Sequence, residues 1–223
     1  MNFFSQRIAL FQSLSPEQSD WLEARTVQKT LTDKSILYQP GDVADEVFFL
    51  LSGRVKTEVF HDEGKAFIRR MVLKGEPFGE HALFGENIRP EYACPIITPV
   101  KMLVFRANDL AFLFRENFDF REAWLHAISR QITRAEQRIL AFSAQQARHR
   151  IVDFLKELVQ TQGQRIGYEW LVRHNLTQEE IGSYTGTGRQ AVTEIFGRFK
   201  QENVIHYSRG KILIRDLSKL TYD

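Results

Sequence analysis

The chain has little of what covalent cross-links, metal clusters or membrane spans require. Its 223 residues include one cysteine, Cys94. A lone thiol closes no internal disulfide and cannot furnish a four-thiolate zinc or iron–sulfur site. No run of about 18 apolar residues occurs, so no membrane span is expected. The first residues, MNFFSQRIALFQSL, carry a single arginine and no small-residue cleavage pattern. A secretory signal is therefore not expected, and the protein is expected in the cytoplasm. A surplus of one charge is nearly absent: 30 Lys and Arg stand against 28 acids, a formal charge of +2. From Ser143 onward, however, there are 12 basic residues and 9 acidic ones, whereas the first 142 residues carry 18 and 19. A basic surplus confined to the C-terminal end points to a polyanionic partner.

Apolar material is plentiful. With 43% hydrophobic residues the chain can fill two modest cores. Between Leu31 and about Phe105, short apolar runs alternate with turn residues. In SILYQPGDVADEVFFLLSGRVKTEVF the groups Pro40-Gly41-Asp42 and Ser52-Gly53 punctuate the pattern, and Val55, Thr57 and Val59 alternate as a β-hairpin requires. Many short strands at this spacing predict a β-barrel or double-sheet jelly roll. Phe11, Leu14, Trp21 and Leu22 predict a leading helix packed on it.

After Asp109 the period lengthens. Leu125, Ile128, Ile132, Ala135, Ile139 and Phe142 recur at alternating intervals of three and four, among charges at 130, 134, 136 and 138. So narrow a seam predicts a long helix that pairs with the same helix of a second copy, giving a homodimer; packing on its own barrel is the alternative. Ile151, Phe154, Leu155 and Leu158 continue helical spacing until Gly163 to Gly167 breaks it, and NVIHYSRGKILIRD reads as a hairpin turning at Ser208 to Gly210. The expected class is α+β. Residues 1–108 form an effector-sensing jelly roll (double-stranded β-helix), 109–146 a long dimerisation helix and hinge, and 147–223 a winged helix-turn-helix.

LTQEEIGSYTGTGRQAVTEIFGRFK, residues 176–200, carries the most specific signal. Thr177 and Glu180 match a capping box at a helix start. Ile181 points inward beside Gly182, which admits a close helix, and Gly186 supplies the turn. Val192, Ile195, Phe196 and Phe199 give the second helix a buried stripe. The opposite face is left to Arg189, Gln190, Thr193, Glu194 and Gly197. Arg can donate twice to guanine, Gln can pair with adenine and Glu can accept from cytosine, so Arg189, Gln190 and Glu194 are the expected base readers. Thr187 with Gln190 also matches a capping box, and Glu194 with Arg198 an i,i+4 pair, which are the structural alternatives. Thr177, Gln178, Thr187, Arg198, Lys200, Arg209 and Lys211 are candidates for phosphate contact.

A jelly roll, a long helix and a C-terminal winged helix, with Pro40-Gly41-Asp42, Leu51-Ser52-Gly53, Phe78-Gly79-Glu80 and the stretch Gly182 to Ile195, resemble the CRP/FNR family of bacterial transcription regulators over essentially the whole chain. The resemblance implies a homodimer on a pseudo-palindromic double-stranded DNA site, with Arg189, Gln190 and Glu194 at base edges and RNA polymerase as a further partner if the protein activates. It also implies an effector pocket at Gly79, Glu80, His81 and Arg89 of the cyclic-nucleotide-binding-like domain, completed by Ala135 and Glu136 on the long helix. Members that bind cyclic nucleotides use a backbone amide after the arginine. Here that residue is Pro90, which has none, and Glu91 brings a negative charge towards the phosphate position. Both features argue against cAMP, as does Ala135-Glu136 where hydroxyl side chains meet the adenine. The iron–sulfur branch needs several cysteines near the start and is excluded. Haem, held by one axial histidine at His81 or His126, stays open, so the effector is unidentified.

Two other classes compete. Metal-dependent oxygenases also use jelly rolls, but they need converging His and carboxylate ligands, and the barrel region offers only His61 and His81. No catalytic or metal site is therefore expected. A cyclic-nucleotide-binding module acting on a protein partner is opposed by the helix-turn-helix and its basic surplus.

Overall fold

A computed structural model describes residues 8–61, 64 and 66–222. The chain divides into two compact units, Met1–Val59 with Arg70–Arg134 and Phe60–Arg69 with Ala135–Asp223. The division cuts the long helix between Arg134 and Ala135.

The first unit begins with a 3-10 turn, Ala9–Ser13, and α1, Pro16–Glu23. Ser15 caps α1 through a full capping box with Gln18, and Pro16 occupies its first turn, where a missing N–H costs nothing. The strands are β1 (Val27–Leu31), β2 (Glu46–Phe60), β3 (Ala66–Val72), β4 (Pro77–Phe78) and β5 (Tyr92–Arg106), of which Phe60 and residues 66–69 count with the second unit. They form one sheet in the order β1-β5-β2-β3, with β4 on β2. Ser52-Gly53, expected to close a hairpin, lies instead inside the 15-residue strand β2. The register with β5 shifts on both sides of Ser52, so the glycine makes an irregularity that bends the strand. Gly53 has φ +83, and a Cβ there would lie 2.6 Å from the carbonyl oxygen of Pro99.

Period-2 alternation along β2 fills two cores at once. Val47, Phe49 and Leu51 join Leu103 and Phe105 on one face, against Phe11, Leu22, Leu110, Phe120 and Trp124. Phe48 and Leu50 face the barrel interior with Tyr38, Val72, Phe78, Met102 and Val104. Burial on both faces is why β2 reads as the near-continuous apolar run VFFLL.

Helix α2 (Ala107–Glu116) and helix α3 (Phe118–Ala144) replace the single helix expected from Asp109. Asn117 separates them. Its N–H closes α2 on Leu113, its Oδ1 accepts from the N–H of Phe120 at 2.8 Å, and its amide donates to Gln18 at 2.7 Å. An asparagine that caps and is fixed by a neighbouring element ends one helix and starts the next.

The second unit holds α4 (Ala147–Gln162), β6 (Gln164–Ile166), β7 (Glu169–Arg173), α5 (Gln178–Thr185), α6 (Arg189–Gln201), β8 (Ile205–Ser208) and β9 (Lys211–Ile214). Its sheet runs β6-β7-β9-β8. The β8–β9 hairpin turns where expected, but Gly163 to Gly167, read as a break, frames a second hairpin. Ile151, Phe154, Leu155 and Leu158 of α4 and Val192, Phe196 and Phe199 of α6 are buried. Burying one such side chain contributes about 1.5–3 kcal/mol. Among the described residues no helix is long and apolar enough to cross a membrane.

Candidate nucleic-acid interface

The reading unit starts with the predicted capping box. Thr177 Oγ1 accepts from the N–H of Glu180 at 3.1 Å, and Glu180 Oε2 accepts from the N–H of Thr177 at 2.8 Å. Gly186, at φ +63, closes α5, and the N–H groups of Gly186 and Thr187 both reach the carbonyl of Gly182. A Cβ on Gly182 would lie 2.8 Å from the oxygen of Thr187 and 3.3 Å from the nitrogen of Arg189. The start of α6 therefore sits directly on α5, at a distance that only glycine permits.

Arg150 braces the same turn from α4. Its guanidinium donates to the carbonyl oxygens of Thr185 at 2.8 Å and Gly186 at 2.9 Å, placing a cation at the negative end of α5. The ring of Phe142 covers Gly186: a Cβ there would come within 2.8 Å of it. Phe142, expected in the dimer seam, is thus partly committed within its own chain.

Arg189, Gln190, Thr193 and Glu194 are exposed on the face opposite the buried stripe, with Gly197 half-buried beside them. Ile195 is only half-buried, unlike Val192, Phe196 and Phe199. The alternative capping box of Thr187 and Gln190 does not form. Gly188 is the N-cap without a side-chain cap, and Thr187 Oγ1 instead pairs with Thr185 Oγ1 at 2.8 Å. Glu194 does hold Arg198, at 2.6 Å, with both side chains exposed. Such a pair is worth about 0.2–1 kcal/mol, so the carboxylate can exchange it for a base at little cost.

The candidate phosphate contacts fall into three groups. Thr177 and Gln178 lie at the start of α5, and Gln178 is bonded to Thr193 across the helix pair at 2.6 Å. Arg198 and Lys200 are exposed on the last turn of α6. Arg209 and Lys211 flank Gly210 in the β8–β9 turn. The carbonyl of Gly210 accepts from the N–H groups of His174 at 2.9 Å and Asn175 at 3.3 Å, tying this turn to the segment that leads into α5. Arg173, absent from the expected set, is exposed on β7 directly opposite Lys211 of β9. The missed signal was the extended pattern EWLVR, which follows the glycine break and sets Arg173 beside the basic hairpin.

The long helix exposes a run of apolar side chains. Leu125, Ile132 and Ile139 are 57%, 54% and 64% exposed, and Leu140 also faces solvent. Ile128 departs from this run, being half-buried and packed against the first unit's core. Ala135 and Glu136 are exposed and belong to the second unit, whereas Gly79, Glu80, His81 and Arg89 belong to the first.

In the barrel, Gly79 (φ +70) brings its backbone so close to Arg89 that a Cβ would lie 2.7 Å from Nη1. Arg89 is 4% exposed. Its Nη1 donates to the carbonyl of Gly79 at 2.9 Å and Nη2 to that of Glu46 at 2.7 Å. The guanidinium lies 4.5 Å from the ring centre of Tyr38 and 5.4 Å from that of Phe48. Glu80 is buried and paired with Arg70 at 3.2 Å, and Arg70 also donates to the carbonyl of Pro77 at 3.0 Å. Glu91 is buried near the Tyr38 hydroxyl. Burial first, and the Glu91 charge second, push the Tyr38 phenol well above its ordinary value of 10.0. His81 Nδ1 is buried with no hydrogen-bond partner among the described residues, and His126 is exposed on α3. Among the described residues no group of three His, Cys, Asp or Glu is arranged to hold a metal ion.

Residues 28–117 match the family model of the cyclic nucleotide-binding domain, and residues 149–222 that of the Crp-like helix-turn-helix domain. The chain is 23% identical over 214 residues to a CRP-like cAMP-activated global transcriptional regulator of Mycobacterium tuberculosis, covering 96% of this chain and 95% of that protein. It is 27% identical over 200 residues to the transcriptional regulator SdrP of Thermus thermophilus, covering 86% and 94%. A solved structure of a CRP/FNR-family transcriptional regulator, also from Thermus thermophilus, superposes with a TM-score of 0.71 at 25% identity, over 87% of this chain and 96% of that one.

Proposed function

Because the chain belongs to the CRP/FNR family of transcription regulators, we propose that it works in the cytoplasm as a homodimer on a pseudo-palindromic DNA site, each copy placing Arg189, Gln190 and Glu194 against base edges. The observation that carries this reading is the exposed face of α6, where three side chains able to sort bases stand in the first two turns. Thr177, Gln178, Thr187, Arg198, Lys200, Arg209 and Lys211, with Arg173, hold the backbone and fix register. RNA polymerase is the further partner if the protein activates. The dimer forms along α3 through Leu125, Ile132, Ala135 and Ile139, and exposed Ile and Leu at this spacing are the support for it.

Arg189→Ala should weaken binding to a selected operator by about 1–3 kcal/mol and relax the preference at one base pair per half-site. Lys211→Ala should weaken binding by a similar factor on every sequence and flatten the salt dependence. Competition binding against single-base operator variants distinguishes the two. An Arg189→Ala protein with unchanged sequence preference would remove Arg189 from the base readers.

The barrel, in this proposal, does not take a cyclic nucleotide. The groups that would meet its ribose and phosphate are already spent: Glu80 on Arg70, and Arg89 on two backbone carbonyls. Pro90 offers no amide hydrogen, and the buried Glu91 would face a phosphate with like charge. Calorimetric titration with cAMP and cGMP should give no binding heat. Micromolar binding of either would show that the Arg89 contacts yield to ligand and would make the protein a cyclic-nucleotide-switched regulator.

A further inference from the structure

One hydroxyl joins the two helices of the reading unit at their first residues. Thr193 Oγ1 lies 2.6 Å from Oε1 of Gln178, which opens α5, and 3.0 Å from the carbonyl oxygen of Arg189, which opens α6. A helical threonine commonly returns its proton to the carbonyl four residues back. Here the shorter contact goes to the other helix, so the hydroxyl proton points to Gln178.

The orientation of that amide matters. A primary amide carries an acceptor on one side and two donors on the other, and the end it presents decides whether it attracts or repels an anion. With Oε1 taking the hydroxyl proton of Thr193, the Nε2 hydrogens are the end left for a partner. In the rest of the first turn of α5 only the Thr177 hydroxyl keeps a side-chain proton to donate. Glu179 and Glu180 are carboxylates, and Thr177 has its backbone N–H and one hydroxyl lone pair in the capping box. A fixed, correctly turned Gln178 amide is therefore the side chain of that turn best suited to meet a DNA phosphate.

Building on the DNA-binding reading above, we propose that Thr193 is a positioning residue: its hydroxyl locks the Gln178 amide so that Nε2 donates to a phosphate. The same hydroxyl lies on the backbone of Arg189. The phosphate grip of α5 is thereby tied to the base-reading helix α6 by a side chain that itself reads no base.

The test titrates the full-length protein and its T193V, T193S, Q178A and T193V/Q178A variants by fluorescence anisotropy. The probes are an operator selected by the wild-type protein and a scrambled duplex. T193V and Q178A should each weaken binding roughly five- to tenfold, by the same factor on both duplexes. The double variant should be no weaker than Q178A alone, because both substitutions remove one interaction. T193S, which keeps the hydroxyl, should stay within about twofold of wild type. Valine keeps the β-branched shape at this exposed position, so thermal melting should not change. T193S as weak as T193V, additive losses, or a loss confined to the selected operator would overturn the positioning role and leave DNA reading intact. If the wild-type protein selects no operator, the DNA reading falls and the role of Thr193 with it.

Discussion

Arg89 donates from both terminal nitrogens to backbone carbonyls while lying over Tyr38 and Phe48. That makes it a structural part of the barrel. Arg89→Ala should leave the carbonyl of Gly79 with only the N–H of Ala82 at 3.4 Å, remove the 2.7 Å bond to that of Glu46 and cost about 1–3 kcal/mol, read as a lower denaturation midpoint; an unchanged midpoint would mean that the arginine is held for a ligand instead. Tyr38 beside it supplies a pH dependence with a definite sign. Its folded-state pKa is raised above the unfolded value of 10.0, chiefly by burial and then by Glu91. The native state therefore keeps the phenol proton longer than the unfolded chain does. The stability linked to Tyr38 is whole below pH 10.0 and is lost as pH rises beyond it. Urea midpoints should fall between about pH 9 and pH 11 more in the wild type than in Tyr38→Phe, and equal falls would contradict the assignment. In the sequence, Pro90 and Glu91 are legible as departures from the cyclic-nucleotide-binding pattern. The carbonyl partners of Arg89 could not be read there, because Glu46 and Gly79 come to it only through the sheet.

At the scale of elements, the sequence reading succeeded where period and chemistry agreed. The capping box of Thr177 and Glu180, the turn at Gly186 and the hairpin around Gly210 all lie at the predicted positions. It failed where one residue type serves two ends. Ser52-Gly53 looks like a hairpin turn but bends a single long strand, because a glycine at positive φ suits a bulge as well as a turn. Asn117 lies inside a helical pattern, and only its bonds to Gln18 and Phe120 reveal it as a cap between α2 and α3. The seam of α3 was legible in its spacing, but Ile128 is drawn towards the first unit's core and Phe142 onto Gly186. Ile132 and Ile139 are therefore the positions to substitute. Ile132→Asp or Ile139→Asp should convert a dimer to a monomer in light scattering while leaving the circular-dichroism spectrum of the folded chain unchanged, since both side chains are exposed within the chain. A variant that remains dimeric would place the dimer contact elsewhere.

For the whole molecule, the proposals amount to two copies of one reading head held by one helix pair. Two-fold symmetry then requires two half-sites in opposite orientation, with centres one turn of DNA, about 34 Å, apart. The basic surplus of the C-terminal end adds a counterion-release component, so affinity should fall steeply with salt on any sequence while the preference for the operator persists. The most direct test of the central claim is selection of binding sites from a randomised DNA pool by the wild-type protein. The account predicts enrichment of an inverted repeat whose half-sites are about one helical turn apart, and loss of that enrichment in Arg189→Ala. Recovery of a single unrepeated motif, or of no motif at all, would contradict it.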